Sequence, residues 1–148
     1  MPSATAKIVA QFECDQTPSK LYRVRYSGNQ SLKSRSRPAF TVSNDFKTAV
    51  EQHLTWCSCE PTPFVSLFGD QNHAMNWAHH LLEHGYHDVV LLEIDSSRLG
   101  PLFRVRDLVT NHKVQTTLPE YMYQDEYLVL RKIPRRSILN KISVELEK

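Results

Sequence analysis

Cysteine is scarce in this 148-residue chain and odd in number: Cys14, Cys57 and Cys59. Such a set does not make a disulfide framework, and it favours a reducing compartment. Long apolar runs are missing too. Nothing approaches the roughly 18 consecutive apolar residues that a membrane span requires. The N-terminus lacks a charged start followed by an apolar run and a small-residue cleavage site, so no secretory signal is read. The expectation is a soluble chain with no membrane partner, cytoplasmic or otherwise intracellular, with action inside a host cell included. A strong charge of one sign is also absent. The formal net charge is +2, which gives a weak overall field. No internal repeat or low-complexity block occurs.

The seven histidines do not fall into a metal-binding spacing. His80 and His84 stand four apart on one expected helix, and His53 precedes Cys57-x-Cys59. Neither group supplies the four ligands of a structural zinc site, so no metal is expected. Trp56 and Trp77 read as core, and Cys57 as a quiet thiol without a partnered base.

Length and an ordinary composition, 41% hydrophobic and 23% charged, fit one globular domain over 1–148. Residues 1–19 read as a loosely ordered leader or, over 7–12, an edge strand. Residues 20–26 alternate cleanly, with Leu21, Arg23 and Arg25 on one face and Tyr22, Val24 and Tyr26 on the other, a strand pattern. A polar, mobile loop is expected over 27–43. Phe46, Ala49, Val50 and Leu54 then give a helical spacing over 45–56, capped by Ser43 or Asn44. Pro61 and Pro63 force an extended entry into a short strand over 64–68. Asp70 caps a helix that ends before Gly85. Further strands are expected at 89–94, at 101–105 and from Glu126 to Pro134, while 138–146 fits a strand or a short helix equally. This irregular order predicts an α+β fold.

Three blocks carry chemistry: Leu21-Tyr22-Arg23-Val24, Phe64-Val65-Ser66, and the segment from Tyr123-Gln124-Asp125-Glu126 to Ile133-Pro134. On a continuous strand Gln124 and Glu126 point the same way. Alone, Glu126 reads as a solvated edge residue and Ser66 as a turn hydroxyl. Together, this Arg, Ser, Gln-x-Glu order resembles the ADP-ribosyltransferase family, on the side that includes cholera toxin and pierisin. The resemblance implies an ADP-ribosyltransferase-like split β-sandwich with flanking helices. It implies a toxin-like mono-ADP-ribosyltransferase with NAD as co-substrate, releasing nicotinamide and passing ADP-ribose to an acceptor.

By that resemblance Glu126 stabilises the cationic character at the ribose, and Ser66 orients Glu126. Arg23 holds the phosphates or the nicotinamide-side ribose through a planar fork that Lys does not imitate. Arg25 shares its face and is the alternative, but the Leu-Tyr-Arg frame selects Arg23. Gln124 binds the acceptor; in place of the Glu of arginine-modifying members, it implies a protein amide or a nucleic-acid base. The 115–122 loop with Tyr121 is the acceptor-recognition turn. Besides Gln124, one further departure accompanies the match. The family's Ser-Thr-Ser is Ser66-Leu67-Phe68 here, with Phe68 expected under the nicotinamide or in the core. Two basic stretches, Lys33, Arg35 and Arg37 and then Arg131, Lys132, Arg135 and Arg136, suit a nucleic-acid acceptor and equally a solvated loop. The alternatives are an NAD glycohydrolase, or a silent member kept as a binding module, which the altered Ser-Thr-Ser favours. A metal-dependent protein built on the histidines is a weaker third.

Overall fold

Alternation of apolar side chains builds six strands: β1 Lys20–Arg25, β2 Phe64–Phe68, β3 Val90–Asp95, β4 Leu102–Arg104, β5 Glu126–Leu130 and β6 Ile138–Ser143. In this computed structural model, which describes residues 3–29, 31–55 and 61–145, all neighbouring strands run antiparallel in the order β4-β5-β2-β1-β3-β6. Among the described residues five α-helices accompany them: α1 Ala4–Phe12, α2 Ser43–Leu54, α3 Gln71–Glu83, α4 Val105–His112 and α5 Glu120–Tyr123. The α+β class expected from the sequence is observed. The Cys57 and Cys59 thiols, Trp56 and Leu146 fall outside the described residues.

The sheet is parted down its middle. β1 and β3 pair over six residues and β2 and β5 over five, whereas β1 meets β2 at the single pair Tyr22–Phe68. Away from that pair the two three-stranded halves separate. On one face, α1, α2 and α4 cover the β4-β5-β2 half through an aromatic core. Phe12 stacks on Phe46 at 4.3 Å, and Phe46 meets Phe103 and Phe64 edge-on at 4.9 and 5.6 Å. On the same face of the other half, α3 lays Ala74, Ala78 and Leu81 against Val24 and Leu91. The opposite face buries Leu21, Val65, Leu67, Leu92 and Val129 with Leu32 and Ile133 from loops.

Four expectations change. Residues 4–12 form a helix rather than an edge strand, because Ile8, Val9 and Phe12 share one helical face and the Ser3 hydroxyl caps Ala6 N–H at 3.1 Å. The stretch after β4 is not irregular: Val105 and Leu108 seat α4 on the sheet. The polar loop is tied down at residues 31–34, where Ser34 N–H donates to Arg131 O (2.6 Å) and Ile133 N–H to Leu32 O (2.7 Å). The start of α2 is capped from inside the helix. Asp45 accepts from the Thr41 and Val42 N–H groups at 2.9 and 3.2 Å, while Val42 holds the cap position itself. Residues 138–143 are a strand.

Candidate functional site

The parting of β1 from β2 opens a cleft of about 780 Å³, a size suited to a small organic ligand. Arg23, His53, Thr62, Ser66, Phe68, His73, Trp77 and Glu126 border it, with Lys33 and Arg35 at its rim. β2 and β5 set Phe68 directly opposite Glu126. In an antiparallel ladder, partners face the same side, so Ser66, Phe68 and Glu126 share one face. The start of β5 is anchored by the Gly69-Asp70 turn. Gly69 N–H donates to Asp125 O at 2.7 Å, and Asp70 N–H to Asp125 Oδ2 at 3.2 Å. A Cβ at Gly69 would stand 3.0 Å from the Tyr127 ring and 3.3 Å from Asp125 O, so a larger residue there would have to displace the ring by a few tenths of an ångström.

Ser66 Oγ donates to Glu126 Oε2 at 3.0 Å. Where the β1–β2 ladder fails, a side chain continues it: Arg23 Nη1 donates to Ser66 O at 3.0 Å and Nη2 to Ser31 O at 3.4 Å. Arg23 Nε is buried without a partner among the described residues, an orphaned donor at the cleft. Burial lowers the Arg23 pKa to about 10, which leaves the guanidinium charged at neutral pH. Burial also raises the Glu126 pKa to about 7; the Ser66 hydrogen bond opposes this and the Asp125 charge adds to it.

His53 was not singled out as a site residue from the sequence, yet it lies at the centre. Its Nε2 is 2.7 Å from Ser66 Oγ and its Nδ1 is 2.6 Å from Thr62 Oγ1. Burial, and secondarily the Arg23 charge, lowers its pKa to about 4, so it is neutral near pH 7. The tautomer follows by counting protons. With Glu126 ionised, the single Ser66 hydroxyl hydrogen points to the carboxylate. Nε2 must then donate to Ser66, and Nδ1 accepts from Thr62. A directed chain runs Thr62 to His53 to Ser66 to Glu126. Only the last turn of α2 beside the Pro61-Thr62-Pro63 entry brings these together, and no local spacing in the sequence signals it.

Arg23, not Arg25, borders the cleft. Phe68 borders it, half-buried, against the His73 ring at 4.7 Å. Leu67 is fully buried on the opposite face, so of the two changed hydroxyl positions only Phe68 reaches the cleft. Gln124 departs from expectation. It sits before β5 in helical conformation, closing α5 through its N–H to Glu120 O, and it is exposed. The side-chain alternation that would align it with Glu126 therefore does not apply, and it does not border the cleft. Leu118 and Met122 from the neighbouring turn do, and Tyr121 stands 69% exposed beside them. Trp77 is half-buried, packed against the α3 core and also bordering the cleft, and stacked on His80 at 5.4 Å. His80 and His84 lie ring to ring at 4.1 Å. Among the described residues no group of three His, Cys, Asp or Glu side chains gathers to hold a metal, and no helix is long and apolar enough to cross a membrane.

The two basic stretches converge. Lys33 and Lys132 form a backbone bridge, which joins residues 31–37 to residues 131–136 beside the cleft. Together these segments carry seven of the 18 Lys and Arg and none of the 16 Asp and Glu.

None of the curated proteins matches this chain. Residues 16–147, spanning the whole sheet and the cleft, match the family described as "Domain of unknown function (DUF7587)", and the chain belongs to that family.

Proposed function

We propose that the cleft binds NAD and cleaves its nicotinamide–ribose bond, passing ADP-ribose to a non-arginine acceptor in the manner of an ADP-ribosyltransferase. The observation that carries this reading is the Ser66–Glu126 hydrogen bond at 3.0 Å, with Arg23 bound to the same serine's carbonyl across the parted strands. The parting of the sheet at Tyr22–Phe68 agrees with the split β-sandwich that the sequence resemblance implies. The residues present suit the co-substrate. Arg23 offers a charged guanidinium with an unused buried Nε, a fit for a pyrophosphate or ribose oxygen. The cleft volume accommodates a ligand of this class. NAD supplies the ribose carbon and the nicotinamide leaving group. Glu126 stabilises positive charge developing at that carbon, as carboxylates do at glycosidic centres. Ser66 holds the carboxylate, and His53 holds Ser66.

The acceptor is a protein amide or a nucleic-acid base, and the converged basic segments support the second. Gln124, exposed at the mouth of β5, retains an acceptor-facing role only if the acceptor reaches it from outside the cleft. Water as acceptor gives NAD hydrolysis from the same site.

Nicotinamide release by wild type beside Glu126→Gln tests the reading. Wild type is expected to release nicotinamide, and the variant about 10²–10³-fold more slowly with an unchanged fold. Because the ionised carboxylate is the working form, the rate rises with pH and levels off above about 7. No release from folded wild type, with protein or DNA acceptors supplied, would leave a binding module instead.

A further inference from the structure

The chain of hydrogen bonds at Glu126 leaves one step without a residue: removal of the acceptor's proton. Glu126 faces the developing charge. His53 has both ring nitrogens engaged, by Thr62 and Ser66. A second histidine stands on the other side of Phe68, the residue directly opposite Glu126. His73 occupies the first turn of α3 at the cleft wall. Its Nδ1 is 2.5 Å from Asp125 Oδ1. The other carboxylate oxygen of Asp125 accepts from Asp70 N–H, and the Asp125 carbonyl accepts from Gly69 N–H, so the carboxylate is held at both ends. A carboxylate only accepts, so Nδ1 carries the hydrogen, and in the neutral ring Nε2 has the lone pair. Among the described residues Nε2 has no hydrogen-bond partner, and the His73 side chain keeps 30% of its surface open. A carboxylate fixing Nδ1–H so that Nε2 serves as base is the arrangement of a histidine general base.

We propose that His73, oriented by Asp125, is the general base that deprotonates the acceptor. This rests on the NAD-cleaving reading above. As the C1′–nicotinamide bond breaks, its electron pair leaves with nicotinamide. The acceptor nitrogen or oxygen forms the new bond to C1′, and the proton it loses passes to His73 Nε2 and then to solvent. No oxidant or further reactant is required. His73 is the catalytic residue of the dyad and Asp125 its positioning residue. The dyad also explains why Asp125, between Gln124 and Glu126, is turned away from solvent.

The test compares wild type, Glu126→Gln, His73→Ala and Asp125→Asn in steady-state turnover of NAD with water or a supplied acceptor. His73→Ala is expected to lose about 10²–10⁴ in kcat with KM for NAD within about twofold, and free imidazole to restore at least tenfold of that loss. Nitrogen NMR of wild type should find His73 as the Nδ1–H tautomer, shifting towards a mixture in Asp125→Asn. Wild-type kcat in His73→Ala, a loss that imidazole does not restore, or an Nε2–H tautomer would overturn the dyad while leaving a dead Glu126→Gln to support the NAD reading. Wild type that releases no nicotinamide overturns both.

Discussion

Between about pH 4.5 and 6.5 the folded protein keeps Glu126 protonated and His53 neutral, whereas an unfolded chain has both charged. Burial is the first cause of each shift. A carboxyl raised from 4.5 to about 7 contributes stability that is full below 4.5 and lost as pH rises through 7. A histidine lowered from 6.5 to about 4 contributes stability that is full above 6.5 and lost as pH falls through 4. In the shared window each state holds one proton on the pair, so their pH slopes cancel. Substitution should uncover them. Relative to wild type, Glu126→Gln is expected to be more stable at pH 8, by about 2 kcal/mol for a group at a partly open cleft, and to lose that advantage by pH 4.5. His53→Gln should match wild type's pH response above 6.5 and gain on it towards pH 4. Urea midpoints at pH 4, 5.5 and 8 decide this, and parallel profiles for all three proteins would refute the pairing.

The helix that carries His53 depends on Asp45, one or two residues beyond the Ser43 or Asn44 that the sequence pattern offers as caps. Asp45 accepts from Thr41 Oγ1 as well as from two backbone N–H groups, and these bonds lower its pKa. Asp45→Ala is expected to lower the urea midpoint at constant slope, through loss of these capping bonds. A cost no larger than that of a surface substitution would show that the cap is idle. At this scale the sequence was legible where periodicity was undiluted. β1, β2 and α3 lie where alternation or helical spacing puts them, β5 starts at Glu126 as expected but ends at Leu130, short of Pro134, where Arg131 turns to φ 72°, and Arg23, Ser66 and Glu126 meet in one cleft. Where it misled, a second signal was present. Ile8, Val9 and Phe12 mark a helical face as well as an apolar run, and Val105 and Leu108 stand three apart. Gln124 departs because it lies two residues before the strand's first residue, where the chain is still helical and alternation does not hold. His53 and Thr62 were illegible, since their partnership joins a helix end to a loop and has no period to betray it.

Across the whole molecule, charge is divided unevenly. With seven cations and no acid in residues 31–37 and 131–136, the remainder of the chain is formally acidic, so the modest net charge conceals a basic rim beside the cleft. Duplex DNA is expected to bind there with an affinity that falls as salt rises. Replacing Lys132, Arg135 and Arg136 by Gln should flatten the slope by about one counterion per lost contact without changing nicotinamide release from NAD alone. Equal DNA affinity in fluorescence anisotropy for wild type and the triple variant would remove the rim from acceptor recognition. The parted sheet has a mechanical consequence as well. Arg23 belongs to one half and Ser66 and Glu126 to the other, and the halves share one backbone pair. Tyr22–Phe68 is thus a joint, and a ligand lying across the gap is a tie-bar. Occupancy should register as slowed amide hydrogen exchange along both facing edges, in strands the ligand barely touches.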